Sequence, residues 1–188
     1  SPRRSKLLES IGLQFTVMPS QVEEIHDERL PLAELCQINA RAKALDVAAR
    51  HPRSLVIGAD TLVGLNGRAF GKPRDLAEAA EMLGQLSGQT HQVITAVCLA
   101  LGARAETFSE LTQVTFRPLA RATIDEYLRA VPVLDKAGAY GIQDRGETLV
   151  AGLEGSFTNV VGFPTERFSE RLDRFLAGQA GQDLSGQL

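Results

Sequence analysis

The 188 residues carry 20 lysines and arginines against 23 aspartates and glutamates, a net charge of −3 that excludes a broadly basic nucleic-acid surface. Apolar residues make up 44% and charged residues 23%, the balance of an ordinary soluble globule with one domain's core. No apolar run reaches the length of a membrane span and no signal peptide is present, so the expected location is cytoplasmic, with Cys36 and Cys98 as buried free thiols.

In chain order, Ser1-Pro2-Arg3-Arg4 reads as a helix start, with serine able to cap and proline suited to the first position. Leu7, Leu8 and Ile11 form its apolar stripe, and Gly12 stops it. Free N–H groups at such a start bind anions, and paired arginines can fork onto phosphate oxygens; the same residues also fit two surface arginines. Phe15 to Met18 predicts a short strand, followed by Glu23-Glu24 in a polar connection where acids are ordinarily solvated. Ala33 to Arg50 predicts an amphipathic helix. Leu35, Ile38, Ala42 and Leu45 should face inward, with Asn39, Lys43, Asp46 and Arg50 as a polar stripe.

The stretch from Leu55 to Pro73 predicts a hairpin about Asn66-Gly67, a dipeptide that tolerates positive φ twice over. Pairing Leu65 with Arg68 and counting outward sets Thr61 opposite Lys72, with Asp60 one residue beyond. An acid, a hydroxyl and an amine therefore meet at the open end of the hairpin. Strict alternation points Asp60 and Lys72 to opposite faces, so their cooperation requires a bulge near Gly58 or Gly71. An ordinary hairpin with a solvated acid and lysine at its mouth fits the spacing as well.

Asp75 and Glu78 have capping-box spacing for the next helix, as do Thr123 and Glu126 for a later one. Between them, His91 to Leu101 predicts a strand covered on both faces, and Leu111 to Phe116 a half-exposed one. The stretch Asp135 to Gly146 is a glycine-rich loop dense in polar side chains, either flexible or built for a ligand to approach the backbone. Thr148 to Leu153 and Ser156 to Val161 predict a final strand pair around Glu154-Gly155. Phe168, Leu172 and Phe175 mark a last helix, and residues 178–188 a frayed, disordered tail after a single domain over 1–177. Strands and helices alternate irregularly, which predicts an α/β protein with a mixed sheet. No P-loop or nucleophile elbow occurs, His26, His51 and His91 lack metal-ligand spacing, and neither cysteine has a histidine partner.

Taken together, SPRR at 1–4, EE at 23–24, GADT at 58–61, GKP at 71–73, LSGQTH at 86–91, DKAGAYGIQ at 135–143 and NVVGFP at 159–164 resemble the Maf family of nucleoside triphosphate pyrophosphatases. The resemblance implies an elongated mixed sheet with flanking helices in two lobes around a cleft, inosine triphosphate pyrophosphatase-like. Family members carry an apolar strand and an Ala-Ser pair just before SPRR, whereas this sequence starts at the serine, so its natural start is expected to be missing or processed.

By that resemblance Asp60 is the catalytic acid, acting as general base for water. Glu24, Lys43 and Lys72 are further active-site positions, and Ser1, Arg3 and Arg4 face phosphate. Asp60 and Glu24 would hold a divalent cation, Mg²⁺ or Mn²⁺, which shares its other ligands between phosphate and water. A triphosphate carries about four negative charges, which two lysines, two arginines and a helix start can neutralise.

Arg4, Thr61 and Gln143 match the subgroup acting on dTTP and UTP, with modified pyrimidine nucleotides as further candidates, rather than the sister subgroup acting on 7-methyl-GTP. A Gln143 amide held by the backbone of Ala139 to Ile142 suits a pyrimidine's imide edge, having both a donor and an acceptor. A nucleotide-binding regulator of cell division or septum formation, with little catalysis, is the alternative. Neither nucleic acid nor membrane is an expected partner, and a homodimer is left open.

Overall fold

Asn66 and Gly67 take φ of 52° and 81°, so the chain reverses there in the two-residue turn their side chains favour. This turn joins β1 (Val56–Leu65) to β2 (Arg68–Phe70), with Leu65 opposite Arg68 as expected. The computed structural model describes residues 1–183. Around the hairpin lie β3 (Thr90–Leu101), β4 (Arg104–Phe116) and β5 (Val150–Glu154), giving one five-stranded sheet in the order β2-β1-β3-β4-β5. Every pairing is antiparallel, so the sheet is not the mixed one expected. Tight turns at Asn66-Gly67 and Gly102-Ala103 impose that direction on two of the four ladders.

Seven helices accompany the sheet among the described residues: α1 (Pro2–Ser10), α2 (Leu32–Arg50), α3 (Leu76–Leu86), α4 (Arg121–Ala130), α5 (Gly146–Leu149), α6 (Phe157–Val161) and α7 (Thr165–Asp183). Asp75 caps α3 by accepting from the Glu78 backbone N–H at 2.8 Å, while the Glu78 carboxylate turns to Arg74 instead. Ser1 occupies the N-cap of α1, but its hydroxyl makes no capping bond. Among the described residues no helix is long and apolar enough to cross a membrane.

Three local expectations fail for identifiable reasons. Phe15 to Met18 is extended chain with no ladder partner among the described residues, and Val17 is 62% exposed. Residues 156–161 form α6 rather than a strand, because Ser156 accepts from the Asn159 N–H at 3.1 Å and nucleates a turn. Helix α7 continues through Asp183 across residues placed in the tail; residues 184–188 lie outside the described ones.

Helix α2 also presents a different face from the one its large residues suggest. Its buried side is Leu35, Cys36, Asn39, Ala40, Ala44, Val47 and Ala48, so Leu35 faces inward as expected while Asn39 is buried and Leu45 is exposed. Small residues at four-residue steps let the helix backbone approach β1 at Gly58. A Cβ on Gly58 would lie 2.6 Å from the Ala40 carbonyl oxygen and 2.7 Å from the Ala44 Cβ. Strand β1 runs unbroken through Gly58, which pairs with Cys98. Gly58→Ala is expected to lower stability by about 2 kcal/mol and to reduce turnover, since α2 must move and Lys43 with it. Urea denaturation beside an activity assay checks this; unchanged values for both would contradict the packing.

The largest apolar cluster joins β1 and β4 to α3, α4 and the glycine-rich loop through Val63, Leu83, Leu86, Phe116, Tyr127 and Tyr140. Smaller clusters lie under α2, around Leu35 and Leu62, and under α7, around Phe163, Phe168 and Phe175. Cys36 and Cys98 are free and buried, as expected, and burial pushes the Cys36 thiol up to about 12.

Candidate active site

Strand β2 ends at Phe70 and covers β1 only from Val63 to Leu65. Lys72 therefore has no ladder position opposite Thr61, whose partner is Thr95 on the other side, in β3. The sheet edge at Asp60 and Thr61 opens into a cavity of about 700 Å³. Asp60 leaves the strand on the face of α2, and Thr61 leaves it on the face of α1 and α6. Both reach the same cavity because it wraps an edge, and no bulge is needed.

Asp60 is 4% exposed, and its Oδ1 accepts from Lys43 Nζ at 2.7 Å. The same ammonium donates to Glu24 Oε1 at 2.6 Å, so one cation from α2 ties together two acids distant in sequence. Asp60 Oδ2 is buried with no hydrogen-bond partner, an acceptor held ready for a proton, a water or a cation. Burial pushes the Glu24 carboxyl up, but the hydrogen bond and charge of Lys43, with Lys72 and His26 behind it, leave it below the ordinary carboxylate range. Asn39 accepts from the Ile25 N–H at 2.8 Å and donates to the Ile25 carbonyl at 3.1 Å, which fixes the loop carrying Glu24. The polar stripe of α2 thus faces this loop rather than water.

Each arginine is tied to protein acceptors through part of its guanidinium. Arg4 donates from Nε to the Gly162 carbonyl at 2.9 Å, from Nη1 to the Ala59 carbonyl at 3.0 Å, and from Nη2 to Thr61 Oγ1 at 2.9 Å. Burial lowers its pKa, with Asp60 opposing. Arg3 donates to Asp135 Oδ2 at 2.6 Å and to the Asp135 carbonyl at 3.1 Å. Lys72 also lines the cavity, and of Arg3, Arg4, Lys43 and Lys72 it alone has no acceptor among the described residues. Ser1 and Gln143 lie on the cavity rim; no backbone group of Ala139 to Ile142 holds the Gln143 amide.

Four further residues of this region stand in the motifs that carry the family resemblance but had no role assigned from them. Asp135 pairs with Arg3, and Lys136 lines the cavity at 5% exposure with Asp135 Oδ1 at 2.9 Å. Tyr140 is buried, and its hydroxyl meets His91 Nε2 at 2.8 Å, which pins the glycine-rich loop to β3. The density of polar residues between small ones in DKAGAYGIQ was the available hint for the first three, and the LSGQTH motif, which ends at His91, for the fourth.

Burial lowers the pKa of His91 from 6.5 to about 4. The folded ring stays neutral while the unfolded chain takes a proton below pH 6.5, so stability falls as the pH drops from about 6.5 toward 4. This one group should remove about 2 kcal/mol between pH 6.5 and 5. His91→Gln should flatten that segment of the stability–pH curve; an unchanged slope would contradict the assignment.

The family model described as Maf-like protein matches residues 1–175. The chain belongs to the Maf family. A protein of Moorella thermoacetica is 48% identical over 190 residues, covering 100% of this chain and 95% of its own. One from Halalkalibacterium halodurans is 47% identical over 167 residues, covering 89% of this chain and 88% of its own. One from Akkermansia muciniphila is 46% identical over 164 residues, with 87% of each covered. All three bear the name dTTP/UTP pyrophosphatase.

Proposed function

We propose that this family member hydrolyses dTTP and UTP to the monophosphate and pyrophosphate. The observation that carries the reading is the buried Asp60 carboxylate, oriented by Lys43 through one oxygen and unpartnered at the other, on a cavity lined by cations. The shared name of relatives at 46% to 48% identity supports the choice of nucleotide.

Asp60 Oδ2 takes a proton from water as its oxygen attacks the α-phosphorus, and the bridging bond to the β-phosphate breaks to release pyrophosphate. Lys43 keeps Oδ1 fixed and shields Asp60 from Glu24. Lys72, with no acceptor among the described residues, is the cation to meet the leaving phosphates, and Arg3 and Arg4, each held to the protein by part of its guanidinium, have further N–H donors to add.

Asp60 Oδ2 and the Glu24 carboxylate fit a hard divalent cation such as Mg²⁺ or Mn²⁺. Among the described residues no three ligand side chains cluster, so a cation here draws its other ligands from phosphate and water. Bound there, it would lower the pKa of the attacking water and offset phosphate charge. The two free buried thiols support a reducing, cytoplasmic setting.

Pyrophosphate release across dTTP, UTP, CTP and 7-methyl-GTP, with and without Mg²⁺ or Mn²⁺, tests the reading. Fast turnover of dTTP and UTP, dependent on the cation, is expected. Equal kcat/KM for UTP and 7-methyl-GTP would overturn the nucleotide choice, and no release from any would leave the nucleotide-binding regulator of cell division.

A further inference from the structure

Thr61 Oγ1 sits within a chain of hydrogen bonds that begins at a guanidinium and ends at a carbonyl. Arg4 Nη2 donates to Thr61 Oγ1 at 2.9 Å, Thr61 Oγ1 lies 2.9 Å from Thr95 Oγ1, and Thr95 Oγ1 donates to the Asn159 carbonyl at 3.0 Å. The hydrogens can be counted. The carbonyl brings none, and Thr95 has one, which the carbonyl must receive. The short contact between the two hydroxyls therefore holds the hydrogen of Thr61. With its hydrogen given to Thr95 and one lone pair given to Arg4, Thr61 has a single lone pair left.

Both ends of the chain are fixed. Thr95 and Asn159 are 0% exposed. The Asn159 amide donates to the Val93 carbonyl at 3.0 Å and to Thr112 Oγ1 at 2.9 Å. Arg4 is held by the Gly162 and Ala59 carbonyls. A Cβ on Gly162 would sit 3.6 Å from Thr61 Oγ1, so the glycine leaves that side of the hydroxyl uncovered toward the cavity.

We propose that Thr95 and Asn159 are positioning residues for substrate choice: they lock the Thr61 hydroxyl as an acceptor, so that it selects a nucleobase with a ring N–H over one with a bare ring nitrogen. The inference rests on the function proposed above and deepens it. Uracil and thymine carry a hydrogen on N3 and can donate to the remaining lone pair of Thr61. Cytosine presents a lone pair at N3, which would face another lone pair. An amide such as Gln143 can rotate and offer either end; Thr61 has no second state to offer.

The test compares kcat/KM for UTP and CTP in the wild type, Thr95→Val, Thr95→Ser and Thr61→Val. Thr95→Val removes the group that receives the Thr61 hydrogen, freeing that hydroxyl to turn and donate to cytosine. The UTP-to-CTP ratio should fall about tenfold, within the range that one misplaced polar group produces. Thr95→Ser, which keeps the hydroxyl, should retain the wild-type ratio. Thr61→Val removes the acceptor itself and should lower the ratio even if Thr95→Val does not fold.

A purely structural role would reduce turnover of both nucleotides alike. Equal losses in Thr95→Val, or an unchanged ratio in Thr61→Val, would overturn the proposal while wild-type hydrolysis of UTP still upheld the pyrophosphatase. Absence of pyrophosphate from both UTP and dTTP in the wild type would overturn both.

Discussion

Asp60→Asn is expected to lower turnover by about 10²–10⁴-fold while the fold survives. Asparagine keeps the shape of the side chain and an oxygen that can accept from Lys43, which now bonds Asp60 Oδ1 at 2.7 Å. What it loses is a basic oxygen at the position of Oδ2, the buried atom with no hydrogen-bond partner. Loss of a cation ligand would add to the deficit. Steady-state rates at saturating nucleotide, beside a thermal melt, separate chemistry from folding. A variant with half of the wild-type rate would remove Asp60 from the role of base.

Lys43→Met should have the second large effect, and on stability as well as turnover. The thioether chain replaces the aliphatic stem but not the ammonium. Asp60, whose side chain is 6% exposed, then has no hydrogen-bond partner at either oxygen and faces Glu24 across the emptied position. Removing one member of a buried ion pair destabilises by about 3–5 kcal/mol. Urea denaturation at pH 7 beside a steady-state rate reads both effects, and unchanged stability would show that the Asp60 carboxylate does not depend on the Lys43 ammonium.

The sequence pattern showed the hairpin well, because Asn66-Gly67 is local chemistry: two residues that tolerate positive φ enforce one turn and one register. The α3 cap was legible for the same reason. Asp60, Glu24 and Lys72 stood within the family motifs and Lys43 followed from the resemblance as a whole, and all four line the cavity.

Where the fold departs from expectation, distant contacts decide. The buried face of α2 follows the space that Gly58 offers to Ala40 and Ala44, which leaves Leu45 exposed although Leu35 is buried as expected. Strand character at Phe15 to Met18 finds no partner among the described residues, and propensity without a ladder does not make a strand. The motifs also gave Arg3 and Arg4 to phosphate; the fold ties part of each guanidinium to protein, two N–H donors of Arg3 on Asp135 and three of Arg4 on oxygens around Thr61. Charge alone could not reveal that, since the acceptors come from elements more than fifty residues away. The LSGQTH motif contains His91, but its role was not legible because its partner, Tyr140, lies in the glycine-rich loop.

The proposed attack at the α-phosphorus is tested most directly by hydrolysing UTP in water enriched in ¹⁸O and weighing the products. Incorporation of the label into uridine monophosphate, with unlabelled pyrophosphate, is the predicted result. Label in the pyrophosphate would place the attack on the β-phosphorus and contradict it.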